Sequence, residues 1–240
     1  MQPLNNNSLM TLPGNVARPA YGRARLRAGV VHFGVGGFHR AHQAAYLDEL
    51  MNNGFAHDWG ICGIGVMPAD QRMRDVLKGQ DGLYTLVVKH SDGHRDARVI
   101  GSMIDYRYAP DDPNAVIETM AAPSTRIVSL TITEGGYNVN DATNEFNLDH
   151  PDIRHDLSKG ATPRTVFGLV SEALRRRRLR GIGPLTVMSC DNIQSNGDVA
   201  RKSFGTFASE LDPALGAWVG EKIAFPNAMV DCITPVTTQL

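Results

Sequence analysis

Cysteine is scarce in this chain, and its scarcity narrows the field first. The 240 residues hold three cysteines, Cys62, Cys190 and Cys232. They are odd in number, far apart and form no C-x-x-C pair. Neither a disulfide framework nor a zinc knuckle is expected, and a reducing, cytoplasmic setting fits. Charge of one sign is lacking as well. Lys+Arg 24 against Asp+Glu 25 leaves a formal net charge of -1, so no global field draws the chain to nucleic acid or to a membrane surface. No apolar run approaches the roughly 20 residues that span a bilayer. The N-terminus is polar (Gln2, Asn5, Asn6, Asn7) and broken by Pro3 and Pro13, which is not how a secretory signal is built. What remains is 42% hydrophobic and 20% charged, the composition of a soluble globular protein with one large domain or two small ones.

The most informative stretch is Val30-Val31-His32-Phe33-Gly34-Val35-Gly36-Gly37-Phe38-His39-Arg40-Ala41-His42. A short apolar run ends in glycines and passes into a helical pattern: a strand, a tight turn and a helix start. Glycines permit the turn and let backbone approach a ligand. A helix start offers free N–H groups and partial positive charge, which suit a phosphate. The dinucleotide fingerprint is G-x-G-x-x-G. Gly34 and Gly36 fill its first two places, and His39 stands at the third. An ordinary glycine turn remains an alternative at this point.

Residues 1–28 read as an arm without a clear period, broken by Pro13-Gly14 and Pro19. After the glycine turn a helix carries Ala44, Leu47, Leu50 and Met51 on one face and stops at Asn52-Asn53-Gly54. A buried strand is expected over 59–66, followed by Asp70. A carboxylate beyond the second strand accepts hydrogen bonds from an adenosine ribose and repels a 2′-phosphate. That favours NAD over NADP, although Arg72 and Arg74 lie near, and a helix cap or a pair with Arg74 would equally explain Asp70. Strand-like segments at 83–88 and 98–106 flank Asp92-Gly93, which predicts an antiparallel hairpin inserted in, or edging, a βαβ sheet. A helix follows over 113–120, then a buried strand over 126–132 that ends in Thr133-Glu134-Gly135-Gly136-Tyr137. Glu134 sits where ligands bind in such sheets, or in a plain turn. Residues 138–160 are polar and unassigned. Thr162-Pro163 predicts a helix start, with Val166, Leu169, Val170, Ala173 and Leu174 on its apolar face and Gly181 at its end. Arg175-Arg176-Arg177-Arg178 and Arg180 complement the helix C-terminus rather than marking a nucleic-acid site. A strand over 185–190 ends in Asp191-Asn192, where Asn192 has an amide that both donates and accepts, or is a turn asparagine. A helix over 196–211 completes the regular pattern.

Four segments together carry a resemblance: GVGGFHRAHQ (34–43), TITEGGY (131–137), SCDN (189–192) and FPNAMVDCITP (225–235). From about Val30 onward the chain resembles the polyol-specific long-chain dehydrogenases, whose branches include mannitol 2-dehydrogenase, fructuronate reductase, altronate oxidoreductase and arabinitol dehydrogenase. Residues 75–84 and 165–167 look most like the mannitol 2-dehydrogenase branch. The resemblance implies an α/β fold, a Rossmann-like doubly wound and mostly parallel sheet with an inserted antiparallel hairpin, over residues 29–240. It implies metal-independent hydride transfer between NAD, with NADP possible, and a polyol or ketose. It places Gly34, Val35, Gly36, Gly37 and Phe38 along the cofactor, Asp70 on its ribose, Asn192 on the reacting oxygen, Glu134 on the proton path and Asp231 near the substrate.

Two departures from the family pattern stand out. Cys232 replaces an arginine that follows the aspartate. The family's general base is a lysine in a K-x-x-x-x-N-x-x-H motif of a helical C-terminal domain, and these 240 residues do not contain that motif. The expectation is therefore the cofactor half of an enzyme, with a further domain of the same polypeptide as its partner. A non-catalytic nucleotide-binding module, a sugar-acid reductase, and a metal hydrolase built on His39 and His42 are the rival readings.

Overall fold

The computed structural model of the chain describes residues 3–140 and 142–235. In chain order its strands are β1 (Ala28–Phe33), β2 (Gly60–Gly65), β3 (Tyr84–Lys89), β4 (Arg95–Ile100), β5 (Met103–Tyr108), β6 (Ile127–Leu130), β7 (Val139–Asn140), β8 (Glu145–Phe146) and β9 (Thr186–Ser189). Its α-helices are α1 (Gly37–Ala41), α2 (Gln43–Asn52), α3 (Gln71–Gly79), α4 (Pro113–Ala121), α5 (Pro151–Leu157), α6 (Val166–Leu179), α7 (Asn196–Leu211) and α8 (Pro213–Lys222). None is long and apolar enough to cross a membrane.

Five strands pair in the order β5-β2-β1-β6-β9, and every pair is parallel. The chain builds outward from β1 through β2 to β5, then returns to lay β6 on the other side of β1. The winding direction therefore reverses between β1 and β6, the place where a ligand crevice opens at the carboxyl ends of such strands. Buried strands of this kind read as continuous apolar runs because both faces are covered. Val31, Phe33, Cys62, Ile64, Val128, Leu130 and Val187 pack on one side with residues of α4, α6 and α7. Val30, Ile61 and Met103 pack on the other with Ala44 and Ala45 of α2, Leu77 of α3, and Tyr84 and Ile100 of the hairpin. This second cover reaches only Ile127 of β6 and stops short of β9. There Ile127, Met188 and Cys190 line a cavity of about 550 Å³ instead.

The inserted hairpin is present as β3 and β4, a separate antiparallel pair whose turn puts Gly93 at φ +86°. The single strand expected over 98–106 is two. It breaks at Gly101-Ser102, where Gly101 N donates to Asp48 Oδ1 (2.8 Å) and Ser102 Oγ to the Ala44 carbonyl (2.6 Å). These bonds turn the chain out of the hairpin and into the parallel sheet. The first helix also differs, dividing at His42 into α1 and α2. Helix α6 begins later than expected: its cap is Thr165, whose Oγ1 accepts from Gly168 N, and not Thr162. The buried carboxylate of Asp156 sets that start by accepting from Arg164 N, Thr165 N and Thr165 Oγ1. The unassigned polar stretch holds β7, β8 and α5. The arm is stitched down: Tyr21 donates to Asp48 (2.5 Å), and Arg23 donates to the carbonyls of Gly101, Asp81 and Met103.

The basic run at the end of α6 is structural. Arg175 and Arg176 pair with Glu172, and Arg176 and Arg180 pair with Glu118. Arg177 is 3% exposed and donates to the carbonyls of Met120, Ala122, Thr125 and Gly183. Its guanidinium closes the chain between α4 and β6. Replacing it leaves several buried carbonyls unpaired, each a cost of about 1–3 kcal/mol. In urea denaturation we expect Arg177→Ala to lose about 3 kcal/mol or more, and Arg178→Ala, an exposed position, less than about 1 kcal/mol.

Candidate active site

The glycine turn sits at the switch point and opens on a contact that only glycine permits. Gly34 has φ +86°, and a Cβ there would stand 1.9 Å from the Thr131 carbonyl oxygen at the end of β6. Thr131 Oγ1 donates to the Gly34 carbonyl at 2.6 Å. Val35 is buried beneath the turn, Gly36 and Gly37 are exposed, and Phe38 is half-buried. A Cβ on Gly36 or Gly37 would meet no heavy atom closer than 3.8 and 3.6 Å, so the outer side of the turn is open.

His39, at the fingerprint's third glycine position, is turned inward. Its ring lies flat on that of His32, with centroids 3.6 Å apart and planes 10° from parallel. The stack supplies the close helix-to-strand packing that the third glycine usually allows. His32 is fully buried, with Nδ1 2.8 Å from Ser129 Oγ and Nε2 3.0 Å from Thr131 Oγ1. Among the described residues neither ring nitrogen of His39 makes a hydrogen bond of good geometry, although the Gln43 side chain bears on it. Burial holds His32 in its neutral form down to about 3. Burial, then the neighbouring His32 and Arg40, push His39 well below the usual histidine range. His42 Nδ1 lies 2.8 Å from the Phe38 carbonyl. The two histidines of the hydrolase reading thus serve different local contacts, and no group of three or more metal-ligating side chains converges among the described residues.

Asp70 stands beyond β2, half-buried, at the carboxyl end of the sheet. Its Oδ2 accepts from Val66 N and Met67 N, both at 2.9 Å. Among the described residues no group bonds Oδ1. Arg74 does not pair with it and binds Asp75 and Asp111 instead. Glu134 and Asn192 are exposed at the ends of β6 and β9. Between them lies Asp191, which accepts from the backbone of Ile132 and Thr133. Asp231 lines the cavity beside β6 and β9, together with Cys190 and Cys232.

Two asparagines that the sequence reading passed over hold that last segment in place. Asn196 Nδ2 donates to the carbonyls of Ala228 (2.8 Å) and Asp191 (3.1 Å), and its Oδ1 accepts from Ala228 N (2.9 Å). Asn227 Oδ1 accepts from Gly197 N at the start of α7. From this anchor the chain passes Asp231 to Thr234, which packs over Gly37. The signal was the position of Asn227 within the FPNAMVDCITP segment. Asp191 has the same kind of signal, its place in the SCDN segment, whereas Asn196 and His32 read as a turn and a core residue.

A doubly wound parallel sheet with a glycine turn at its switch point is a dinucleotide-binding fold of the Rossmann class. The family model described as the mannitol dehydrogenase Rossmann domain matches residues 28–240, and the chain belongs to that family. It is 50% identical over 235 residues to mannitol 2-dehydrogenase of Phaeosphaeria nodorum, covering 98% of this chain and 41% of that one. It is 51% identical over 223 residues to mannitol 2-dehydrogenase of Aspergillus clavatus, covering 92% and 44%. A structure of Pseudomonas fluorescens mannitol 2-dehydrogenase in ternary complex with NAD and D-mannitol superposes with a TM-score of 0.95 at 48% identity, over 99% of this chain and 48% of that one. A substrate-free D-sorbitol dehydrogenase superposes at 0.93 with 44% identity, over 99% and 49%. The chain thus spans less than half the length of these relatives.

The buried histidine pair makes stability depend on acidity. Between the ordinary value of 6.5 and about 3, the unfolded chain binds a proton at His32 that the folded chain refuses. Stability therefore rises with pH across that window and is lost as pH falls through it. We expect the melting temperature to drop from pH 6.5 toward pH 4, and His39→Phe, which keeps a flat ring on His32, to make the drop shallower.

Proposed function

We propose that this chain is the cofactor-binding half of an NAD-dependent oxidoreductase that exchanges a hydride with a polyol or ketose, mannitol and fructose foremost. The observation that carries the proposal is the set of groups at the carboxyl ends of one parallel sheet: the open Gly36-Gly37 turn, Asp70 beyond β2, and Glu134 and Asn192 beyond β6 and β9. The likeness to a mannitol 2-dehydrogenase held with NAD and D-mannitol supports it.

The residues fit a dinucleotide. A pyrophosphate needs backbone at close range, and Gly36 and Gly37 put no side chain of their own on the outer side of the turn, with only the Thr234 methyl packed beside Gly37. A ribose diol needs an acceptor, and Asp70 keeps Oδ1 for it while Oδ2 secures its own turn. The same charge repels a 2′-phosphate, which makes NADP the weaker ligand. When bound, NAD supplies the nicotinamide that takes up or returns hydride. Asn192 holds the reacting oxygen as its charge grows. Glu134 passes the proton at the mouth of the crevice, and Asp231 receives substrate hydroxyls. Among the described residues no lysine or arginine lines the cavity beside Asp231, so a neutral polyol suits it better than a sugar acid.

The proton acceptor is the family's lysine, which lies outside these residues. The uncovered half of the second sheet face, where Tyr46 (60% exposed), Leu50 (45%) and Met229 (95%) rim the cavity, is the seat we assign to the further polypeptide of the longer relatives. A positioned general base contributes about 10²–10⁴-fold in rate. The chain by itself is thus expected to bind NAD yet form almost no NADH from mannitol, and turnover near that of an intact relative would refute this division of labour. Calorimetric titration tests the cofactor assignment. Asp70→Asn should weaken NAD about ten-fold and narrow the gap to NADP, because a charged acceptor is worth about 1.5–3 kcal/mol. No heat with either nucleotide would overturn the proposal.

A further inference from the structure

We infer that Asp191 is a positioning residue: its carboxylate locks a strained turn and so fixes Glu134, on that turn, and Asn192, its own neighbour, at the nicotinamide half of the crevice. The inference rests on the dinucleotide reading above.

Asp191 is 8% exposed. A buried carboxylate ordinarily takes a cationic partner, but among the described residues no lysine or arginine pairs with it. Its partners are all neutral donors. Oδ1 accepts from Thr133 N at 2.9 Å, and Oδ2 accepts from Ile132 N at 3.1 Å and from Tyr137 Oη at 2.7 Å. Tyr137 is itself fully buried. Its Oη lies 2.6 Å from Ser189 Oγ, and its carbonyl accepts from Ser203 Oγ at 3.0 Å. One carboxylate therefore ties both ends of the 132–137 turn to the end of β9 and, through Tyr137, to α7.

What it holds is strained. Thr133 has φ 64° and ψ 167°, a region nearly reserved for glycine and least suited to a β-branched side chain. Gly135 and Gly136 lie two and three residues on, but neither occupies the strained position. Such strain persists only where the surroundings over-determine it, and it gathers at working sites. Here the clamp donors are the amides of Ile132 and Thr133, and the next residue is Glu134. On the other side of the carboxylate, the next residue is Asn192. Strands β6 and β9 lie on the side of the switch point away from β2 and Asp70, so this clamp belongs to the half of the crevice opposite the adenosine. A clamp that merely joined two strands would not need a threonine in a glycine conformation beside an exposed carboxylate.

The distinguishing experiment compares NAD with ADP-ribose, which lacks the nicotinamide, by calorimetric titration of the 240-residue chain. For Asp191→Asn we expect NAD to weaken about ten-fold and ADP-ribose to change less than two-fold. Adding Thr133→Gly, which relieves the backbone, should bring NAD back to within about three-fold of the starting chain. Equal weakening of both ligands, or no rescue by Thr133→Gly, would overturn the inference. If the starting chain binds neither ligand, the dinucleotide reading fails. Hydrogen exchange then judges the clamp alone: Asp191→Asn must speed exchange at residues 132–134, and Thr133→Gly must slow it again. Should Asp191→Asn not fold, Thr133→Gly alone decides, since a strained threonine predicts a melting temperature equal or higher and a clear drop contradicts it.

Discussion

The close approach of the turn after β1 to the end of β6 is the constraint on which the rest of the molecule depends. Gly34 lies so near the Thr131 carbonyl that no side chain fits between them. The two strand ends on either side of the switch point are thereby fixed to each other, and the groups placed there inherit the same frame. Beneath the contact, His32 bonds Ser129 and Thr131 of the β6 side, and His39 covers His32 from α1. The crevice floor is thus one hydrogen-bonded and stacked unit, not two loops that happen to meet.

Much of this architecture is legible in the residues, and the physical reason is periodicity. Strands β1, β2, β6 and β9 are short apolar runs followed by glycine or polar turns, and helix α7 shows its apolar spacing over the full range found. What was illegible is what depends on distant partners. The break between β4 and β5 is made by Asp48 and Ala44 of α2, 53 and 58 residues earlier in the chain, and nothing in the local pattern of 98–106 announces it. At the start of α6, Thr162-Pro163 has the form of a cap, but Asp156 gives that role to Thr165. Asp70 shows the limit at the site itself. Its position beyond β2 was readable, but that one of its oxygens secures its own turn was not.

Polar residues in the interior follow a common logic. Arg177, Asp156 and Asp191 are buried, and in each case the partners are largely backbone groups of loops that have no ladder or helix of their own. A side chain with several donors or acceptors closes such loops at the expense of its own desolvation. In sequence these residues look like surface charge or turn formers. That is why the arginine run resembles a basic patch, and why Asp191 is overshadowed by the more exposed Asn192.

The all-parallel order of the main sheet also governs how the molecule is made. β1 leaves the ribosome first, yet it is the central strand and needs β2 on one side and β6 on the other. The edge strand β9 is joined at Thr186 by the late residue Ala224, and α7 is fastened to the still later Ala228. Parallel pairing of this kind cannot close through local hairpins and folds slowly. The nascent chain therefore carries an apolar, half-paired β1 until Ile127–Leu130 of β6 has been made, and an unpaired strand edge of that kind is prone to aggregate during the interval.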